Sequence, residues 1–490
     1  MKIELNTCMT LAGVLAVALS MPVQGRQAPP DRLETRVGTL QYESGYPTAE
    51  TAAMLREELK FQAAVQVYLW SVPLMDVISL RDGHRSVGMD DFTIPIFADY
   101  LTAKTVVPTG NQETIYAYNA ITLGDEPLVL EVIPDVVGFI ADVWQRPIMD
   151  LGRPGPDRGK GGKYLIVPPG YEGDLPAAGY YIVRSPTRNF WWLVRAISDD
   201  GKPGPAAAAL RGVRLYLLSS AASPPRQEHI NASTKPAYCI PPRGFEYWER
   251  LAAALQEEFV QERDRVILGM AAHLGLEKGK PFEPDSALRE ILIEAERVGH
   301  AMCTSLAFAS EVPEARAYND RQWEYCFLTD SPSFDSESHL ELYSRTAFAY
   351  QAMTGANAMV LELVGKGSKY LTTFRDSTGA YLDGSKSYRL SVPANVPAAQ
   401  FWSVAVYDNA TRSLIDNGEP NSTRNSFMDL QKNADGSVDL YFGPTPPRGH
   451  EGNWVRTLPG KGFFLYFRFY GPLQAYYDKT WRPGDPELVQ

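Results

Sequence analysis

A run of short aromatic strands between Tyr388 and Pro472 sets the tightest limit on what this chain can fold into. Apolar residues alternate with polar ones, and clusters of Pro, Gly, Asn and Asp separate the runs, the pattern of an all-β sandwich or barrel. Val438, Leu440 and Phe442 alternate with Asp439 and Tyr441 just behind the turn dipeptide Asp435-Gly436, which predicts a hairpin. Further on, Phe463, Leu465, Phe467 and Phe469 share one strand face and Tyr466 and Arg468 take the other.

A second β region begins at Phe92. Thr114–Ala120, Leu128–Ile133, Val136–Val143, Lys163–Val167, Tyr180–Arg184 and Phe190–Ala196 read as strands, separated by Gly, Pro and Asp turns. Helical periodicity fills the rest. A stripe of Leu55, Leu59, Ala63, Val67 and Leu69 predicts a helix from about Thr48 to Val72, capped by Thr48 or Thr51 and ended by Pro73. A further helical piece is expected around Met75–Leu80. Between the β regions, helices are expected from Gly244, around Val266–Leu274, after a cap at Asp285, and over Glu341–Met359. The segments 163–184 and 438–468 repeat one order: a strand, a Pro-Pro-Gly-like turn, a Leu-Pro corner, a Gly and an aromatic strand ending in Arg. Two sandwiches with the same hairpin-and-corner solution would produce it, and so would a duplication.

The resulting division is residues 1–26 as a signal peptide, 27–91 as a polar lead-in with helices and 92–218 as a β-sandwich domain. It continues with 219–243 as a Ser/Pro-rich connector, 244–377 as an α-helical module and 378–490 as the last β domain. The signal rests on Lys2, the apolar run Cys8–Met21 and the small residues at Val23-Gln24-Gly25. No other stretch reaches transmembrane length, so the expected product is exported, periplasmic or secreted, with no membrane span after processing. Lys and Arg number 47 against 58 Asp and Glu, a net charge of −11, which speaks against a nucleic-acid partner. Cys239, Cys303 and Cys326 then remain, and their odd number leaves the pairing open, with Cys239–Cys326 one option.

No motif fixes a chemistry. The six histidines lack metal-ligand spacing, so neither a metal nor a cofactor is expected. The nucleophile-elbow pattern is absent, and Ser403 reads as a strand residue. Gly159–Lys163 lacks the Ser/Thr and the helix of a phosphate loop. Asp335, Glu337 and Glu341 cluster near His339 as a solvated acidic loop, and Asp408 reads as a turn residue that fixes its own backbone. Aromatic residues such as Trp192 and Trp402 suit flat or sugar-like ligands as well as they suit a core. Arg195 and Arg468 stand on aromatic strands, where a charge must be paired or line a cleft.

The motifs NQETIYAY (111–118), GGKYLIVPPGY (161–171) and FWWLVRA (190–196) resemble one half of a two-domain family, the domain of unknown function 1254. LDGSKSYRLSVP (382–393), FWSVAVYDNAT (401–411), DGSVDLYFGP (435–444), NWVRTLPGKGFF (453–464) and LYFRFYGP (465–472) resemble the other, the domain of unknown function 1214. The resemblance implies an N-terminal β-sandwich, a central α-helical module and a C-terminal jelly-roll β-sandwich. It implies no activity. The chain departs from the family at Glu113 and Ile115, where relatives carry Asp/Asn and Leu. The expectation is therefore a protein that binds a saccharide or small apolar ligand between its β modules. The candidate binding residues are Asn111, Tyr116, Trp192, Arg195, Trp402, Asp408 and Arg468. The alternatives are a hydrolase of glycosidase or esterase type and a structural or assembly protein of the envelope.

Overall fold

The computed structural model describes residues 31–489 apart from 197, 199, 200, 354 and 355. The expected signal segment and Cys8 lie outside the described residues. The chain divides into two compact units, one up to Leu59 and one from Lys60 onward. In the first, β1 (Arg32–Thr35), β2 (Gly38–Glu43) and β3 (Tyr46–Pro47) form an antiparallel meander. The polar lead-in expected here thus carries strands, mostly exposed. Ser44 and Gly45 both take positive φ, 52° and 83°, the geometry that joins β2 to β3 in a two-residue turn. Leu40 is its buried apolar anchor, too sparse a signal for periodicity to detect. Thr48 then caps α1 (Ala49–Ser86), its hydroxyl accepting from the Thr51 amide at 3.3 Å.

Helix α1 runs straight through the expected stop at Pro73. A proline mid-helix removes one N–H and pushes its ring against the carbonyl four residues back. The cost is met from another helix, α6, whose range is given below. The Leu69 carbonyl accepts from the Thr346 hydroxyl at 2.9 Å, and the Trp70 carbonyl accepts from Arg345 Nη2 at 2.9 Å. By length and composition α1 could cross a membrane, but 89% of its apolar window is buried inside the protein. It is a core helix.

The second unit continues with β4 (Thr93–Ile96), β5 (Ile115–Thr122), β6 (Leu128–Val132), β7 (Val136–Asp142) and β8 (Pro147–Gly152). Then come β9 (Gly162–Val167), β10 (Tyr181–Arg184), β11 (Asn189–Ala196), α2 (Pro203–Leu210), β12 (Arg214–Leu217) and β13 (Glu228–Asn231). They make a six-stranded sheet, β13-β4-β5-β11-β7-β8, and a four-stranded one, β10-β9-β6-β12. The two share a core that includes Ile140, Tyr164, Ile166 and Trp192. The opposite face of the larger sheet, with Tyr118, Phe139 and Trp191, packs in a separate core with α1. Adjacent tryptophans thus point into different cores because strand side chains alternate.

The helical part comprises α3 (Phe245–Glu257), α4 (Arg265–His273), α5 (Ser286–Phe308), α6 (Leu342–Gln351) and α7 (Asn357–Val360). Asp285 caps α5 as expected, accepting from the Leu288 amide at 2.8 Å. The single run expected over Glu341–Met359 is two helices. Cys239, Cys303 and Cys326 are buried free thiols, so no bridge links Cys239 to Cys326.

The last part contains β14 (Ser368–Thr373), β15 (Tyr388–Val392), β16 (Ala398–Asp408), β17 (Thr423–Asn425), β18 (Val438–Gly443) and β19 (Trp454–Arg456). It ends with β20 (Phe463–Pro472), α8 (Gln474–Tyr477) and β21 (Glu487–Leu488). Sheets β14-β20-β16-β17 and β19-β18-β15-β21 enclose a core with Leu390, Val404, Leu440, Phe467 and Phe469. Every residue of β20 is buried, so the face carrying Tyr466 and Arg468 is covered too. The turn at Asp435-Gly436 forms, with Asn433 N donating to Ser437 O at 2.8 Å, yet β18 pairs with β15 and β19, not with a strand just upstream. The shared order of 163–184 and 438–468 does not produce hairpins either. β9 and β10 are parallel, as are β18 and β19, because each pair is joined by a crossing segment.

Thr346→Val removes the hydroxyl shared by the Leu69 carbonyl and its own Leu342 carbonyl, 2.8 Å away. A loss of about 1–3 kcal/mol in urea unfolding is expected. In a Pro73→Ala background, where residue 73 regains an N–H for Leu69, the same substitution should cost measurably less.

Candidate functional site

Asp76 is the only charged residue between Lys60 and Arg81, and it lies on the first turn after Pro73. It faces a cavity of about 250 Å³ lined by α1, the segment Tyr238–Arg243, α3, α5, α6 and the loop 410–412. Four tyrosines line it: Tyr68 and Tyr247, with ring centroids 4.4 Å apart, Tyr238 and Tyr350. Tyr68 fits because α5 carries Gly299 beneath it. A Cβ there would lie 2.5 Å from Cδ1 of the Tyr68 ring. The Tyr247 hydroxyl is anchored by Ser71 Oγ at 2.7 Å.

Arg412 supplies the charge. Its backbone has φ 59°, a left-handed conformation that an arginine rarely takes and that must be held by its surroundings. Asp408 holds the loop: its backbone carbonyl accepts from Arg412 N at 2.8 Å, its Oδ1 accepts from Ala410 N at 2.8 Å, and Lys461 pairs with Oδ2 at 2.7 Å. The guanidinium donates from Nε to the Tyr350 carbonyl (2.8 Å) and from Nη1 to the Ala410 carbonyl (2.7 Å). Its centre lies 4.2 Å from the centroid of the Tyr350 ring. Nη2 has no protein partner, and no carboxylate lies within 4 Å of the group, among the described residues.

Burial decides the protonation of the other groups. It pushes the Asp76 carboxyl up to about 8, against the pull of Arg412 and of the hydrogen bond from Gln145 Nε2 (3.3 Å). It pushes His300 down to about 4, helped by Arg243 and Arg412. At neutral pH the cavity therefore presents a neutral carboxyl, a neutral imidazole, phenols and one uncompensated cation. Arg243, at the rim, is already paired with Glu296 at 2.5 Å.

The candidates expected from sequence go to different places. Asn111, Tyr116, Arg195 and Arg468 do come together, but in a buried seam. Asn111 Nδ2 donates to the Tyr470 hydroxyl at 2.5 Å, and the Arg195 guanidinium lies 5.3 Å from the centroid of the Tyr470 ring. Tyr116 lies opposite Arg195 across β5 and β11. Arg468 donates to the Tyr407 hydroxyl (2.6 Å) and the Thr109 carbonyl (3.0 Å). Glu113 is 4.0 Å from its Nη1, and burial raises the Glu113 carboxyl while Arg468 opposes the shift. The crevice beside Glu113 and Arg195 has room for about one water. A ligand does not fit there. Trp192 is wholly core, Trp402 is half-buried and packs on Phe467, and Asp408 braces the Arg412 loop.

Tyr68, Asp76, Tyr247, His300, Tyr350 and Arg412 were not among the candidates expected from sequence. One signal was available: a lone carboxylate behind a proline in an otherwise apolar helical stretch. Among the described residues no group of three or more His, Cys, Asp or Glu converges as a metal requires.

This geometry defines a mixed α and β protein with two β modules, a helical region and an enclosed polar, aromatic cavity. Residues 93–216 match the family described as "Protein of unknown function (DUF1254)", and residues 367–474 match "Protein of unknown function (DUF1214)". Both matches lie on this chain, the first N-terminal to the second. No curated protein matches it. Among solved structures it is similar to the VPA0106 protein from Vibrio parahaemolyticus. The two share 18% identity and a TM-score of 0.50, covering 88% of this chain and 100% of that one. A putative uncharacterized protein from Burkholderia cenocepacia is more distant, at 12% identity and a TM-score of 0.39, covering 90% and 97%. The first of these supports the overall fold.

The folded protein keeps the Asp76 proton up to about pH 8, whereas the unfolded chain loses it near the ordinary 3.8. Stability from this group is thus complete at low pH and is lost as pH rises through that window. Asp76→Asn should accordingly gain stability relative to the parent between pH 6 and pH 9, measured by urea unfolding at both. The seam behaves differently. Arg468→Met should cost about 3–5 kcal/mol by leaving Glu113 buried and unpaired, and Glu113→Gln should recover part of that loss.

Proposed function

We propose that this protein binds a small, planar organic anion, of carboxylate type, in the cavity between Asp76 and Arg412. The observation that carries the reading is the uncompensated Arg412 guanidinium, held by two carbonyls with Nη2 unpartnered, in an aromatic-walled space of about 250 Å³. Tyrosine walls suit a flat ligand, and a protonated Asp76 beside Arg412 can donate to a carboxylate instead of repelling it. Binding is favoured over hydrolysis because no serine or cysteine lines this cavity. The finer architecture belongs to the same proposal: an N-terminal β-sandwich, a C-terminal jelly roll, and an exported chain whose first 26 residues are its signal.

A second reading, a saccharide subsite, has one observation of its own. Trp402, half-buried, lines a separate cavity of about 250 Å³ together with Asn395, Ser426, Asp429 and Lys432, an aromatic wall with polar groups around it.

Calorimetry with benzoate and with its neutral analogue benzamide tests the main reading. Benzoate should bind and benzamide should not. Arg412→Lys should weaken benzoate about 10- to 100-fold, the worth of a charged hydrogen bond. Affinity should also fall above about pH 8, as Asp76 ionises. Equal binding of both probes, or no effect of Arg412→Lys, overturns it. Binding of neutral oligosaccharides that is abolished by Trp402→Ala would favour the second reading.

A further inference from the structure

A second cavity, of about 450 Å³, lies beside β14 and is separate from the Arg412 site. Lys369, on β14, projects into it between α7 and the tyrosines Tyr370, Tyr476 and Tyr477. Its Nζ lies 3.0 Å from the Met359 carbonyl and 2.6 Å from the Val360 carbonyl, with no other protein partner among the described residues. A neutral amine has two N–H bonds and one lone pair. Two carbonyl acceptors match the two N–H bonds and leave the lone pair unclaimed, whereas an ammonium ion would be left with an unpartnered third proton.

We propose that Lys369 is a reactive amine that captures carbonyl compounds, aromatic aldehydes or ketones, as an imine in this cavity. The nitrogen lone pair forms a C–N bond to the carbonyl carbon, and the oxygen takes up the proton that nitrogen loses, giving a carbinolamine. The hydroxyl then leaves as water, with a proton supplied by solvent or by a neighbouring acid, and the nitrogen returns its remaining proton to solvent, so that a neutral C=N bond remains. No electrons are exchanged. The tyrosine walls fit the ring of an aromatic carbonyl compound. Desolvation of an amine in such a setting is a recognised means of activation. Burial brings this ammonium down to about 8, with Glu362 and Asp330 acting in the opposite sense. The phenols and the thiol around the cavity move the other way: burial holds Tyr370 and Cys326 up to about 12 and raises Tyr325, Tyr476 and Tyr477.

The test is reductive trapping of the full chain with benzaldehyde and cyanoborohydride at pH 7.5, followed by peptide mass mapping. Lys369 should acquire the benzyl mass at least about ten-fold faster than exposed lysines such as Lys104, the advantage expected of a lowered amine pKa. Its labelling rate should rise with a midpoint near pH 8, and the selectivity should vanish in urea. Lys369→Arg should remain folded by circular dichroism and lose the fast label. Labelling of Lys369 no faster than that of exposed lysines, or an equal preference in urea, overturns the proposal. So does a fast label at another lysine that persists in Lys369→Arg.

Discussion

The fold depends on how the Leu69 carbonyl, which Pro73 leaves without its helical partner inside α1, is satisfied. A long helix buried along most of its length cannot leave that carbonyl unpaired, because water does not reach it. Thr346 of α6 reaches across to it and Arg345 to the neighbouring Trp70 carbonyl, locking two helices distant in sequence at one level. Arg345 is 6% exposed and its guanidinium charge is itself disfavoured by burial, which pushes it down to about 10. Two awkward groups, a proline-broken helix and a buried arginine, answer each other.

The cavity follows from that arrangement. Asp76 sits on the turn beyond Pro73, and α6 carries Tyr350, whose carbonyl and ring both hold Arg412. The same helix therefore repairs α1 and positions the cation. The loop from the last β region completes the wall because Asp408 ties its backbone and Lys461 anchors Asp408. Burial then sets the charge state: it keeps a proton on Asp76 and takes one from His300, so the arginine charge remains uncompensated at neutral pH.

The seam between the β modules reached the opposite outcome with similar ingredients. Arg468 and Glu113 are both buried, yet Arg468 is surrounded by Tyr407, Tyr466 and the Thr109 carbonyl. Aromatic rings and backbone close the space that a ligand would need. An arginine on an aromatic strand was correctly read as demanding a partner. Whether that partner is the protein itself or a ligand depends on packing density, which strand alternation does not encode.

The sequence alone determined that the chain has two β regions, many of their strands and the Asp285 cap, because these rest on local periodicity and capping chemistry. Ile115–Thr122, Leu128–Val132 and Val136–Asp142 fall within two residues of where alternation put them. Local reading failed where a distant element intervened. Pro73 does not end α1 because α6 satisfies the Leu69 carbonyl it leaves free, and β9–β10 and β18–β19 are parallel because their connections cross. Asp76, His300, Tyr350 and Arg412 are spread over more than 300 residues and share no spacing. Tertiary structure brought them together, since burial and proximity, the two quantities that create a charged cavity, exist only once distant segments have packed.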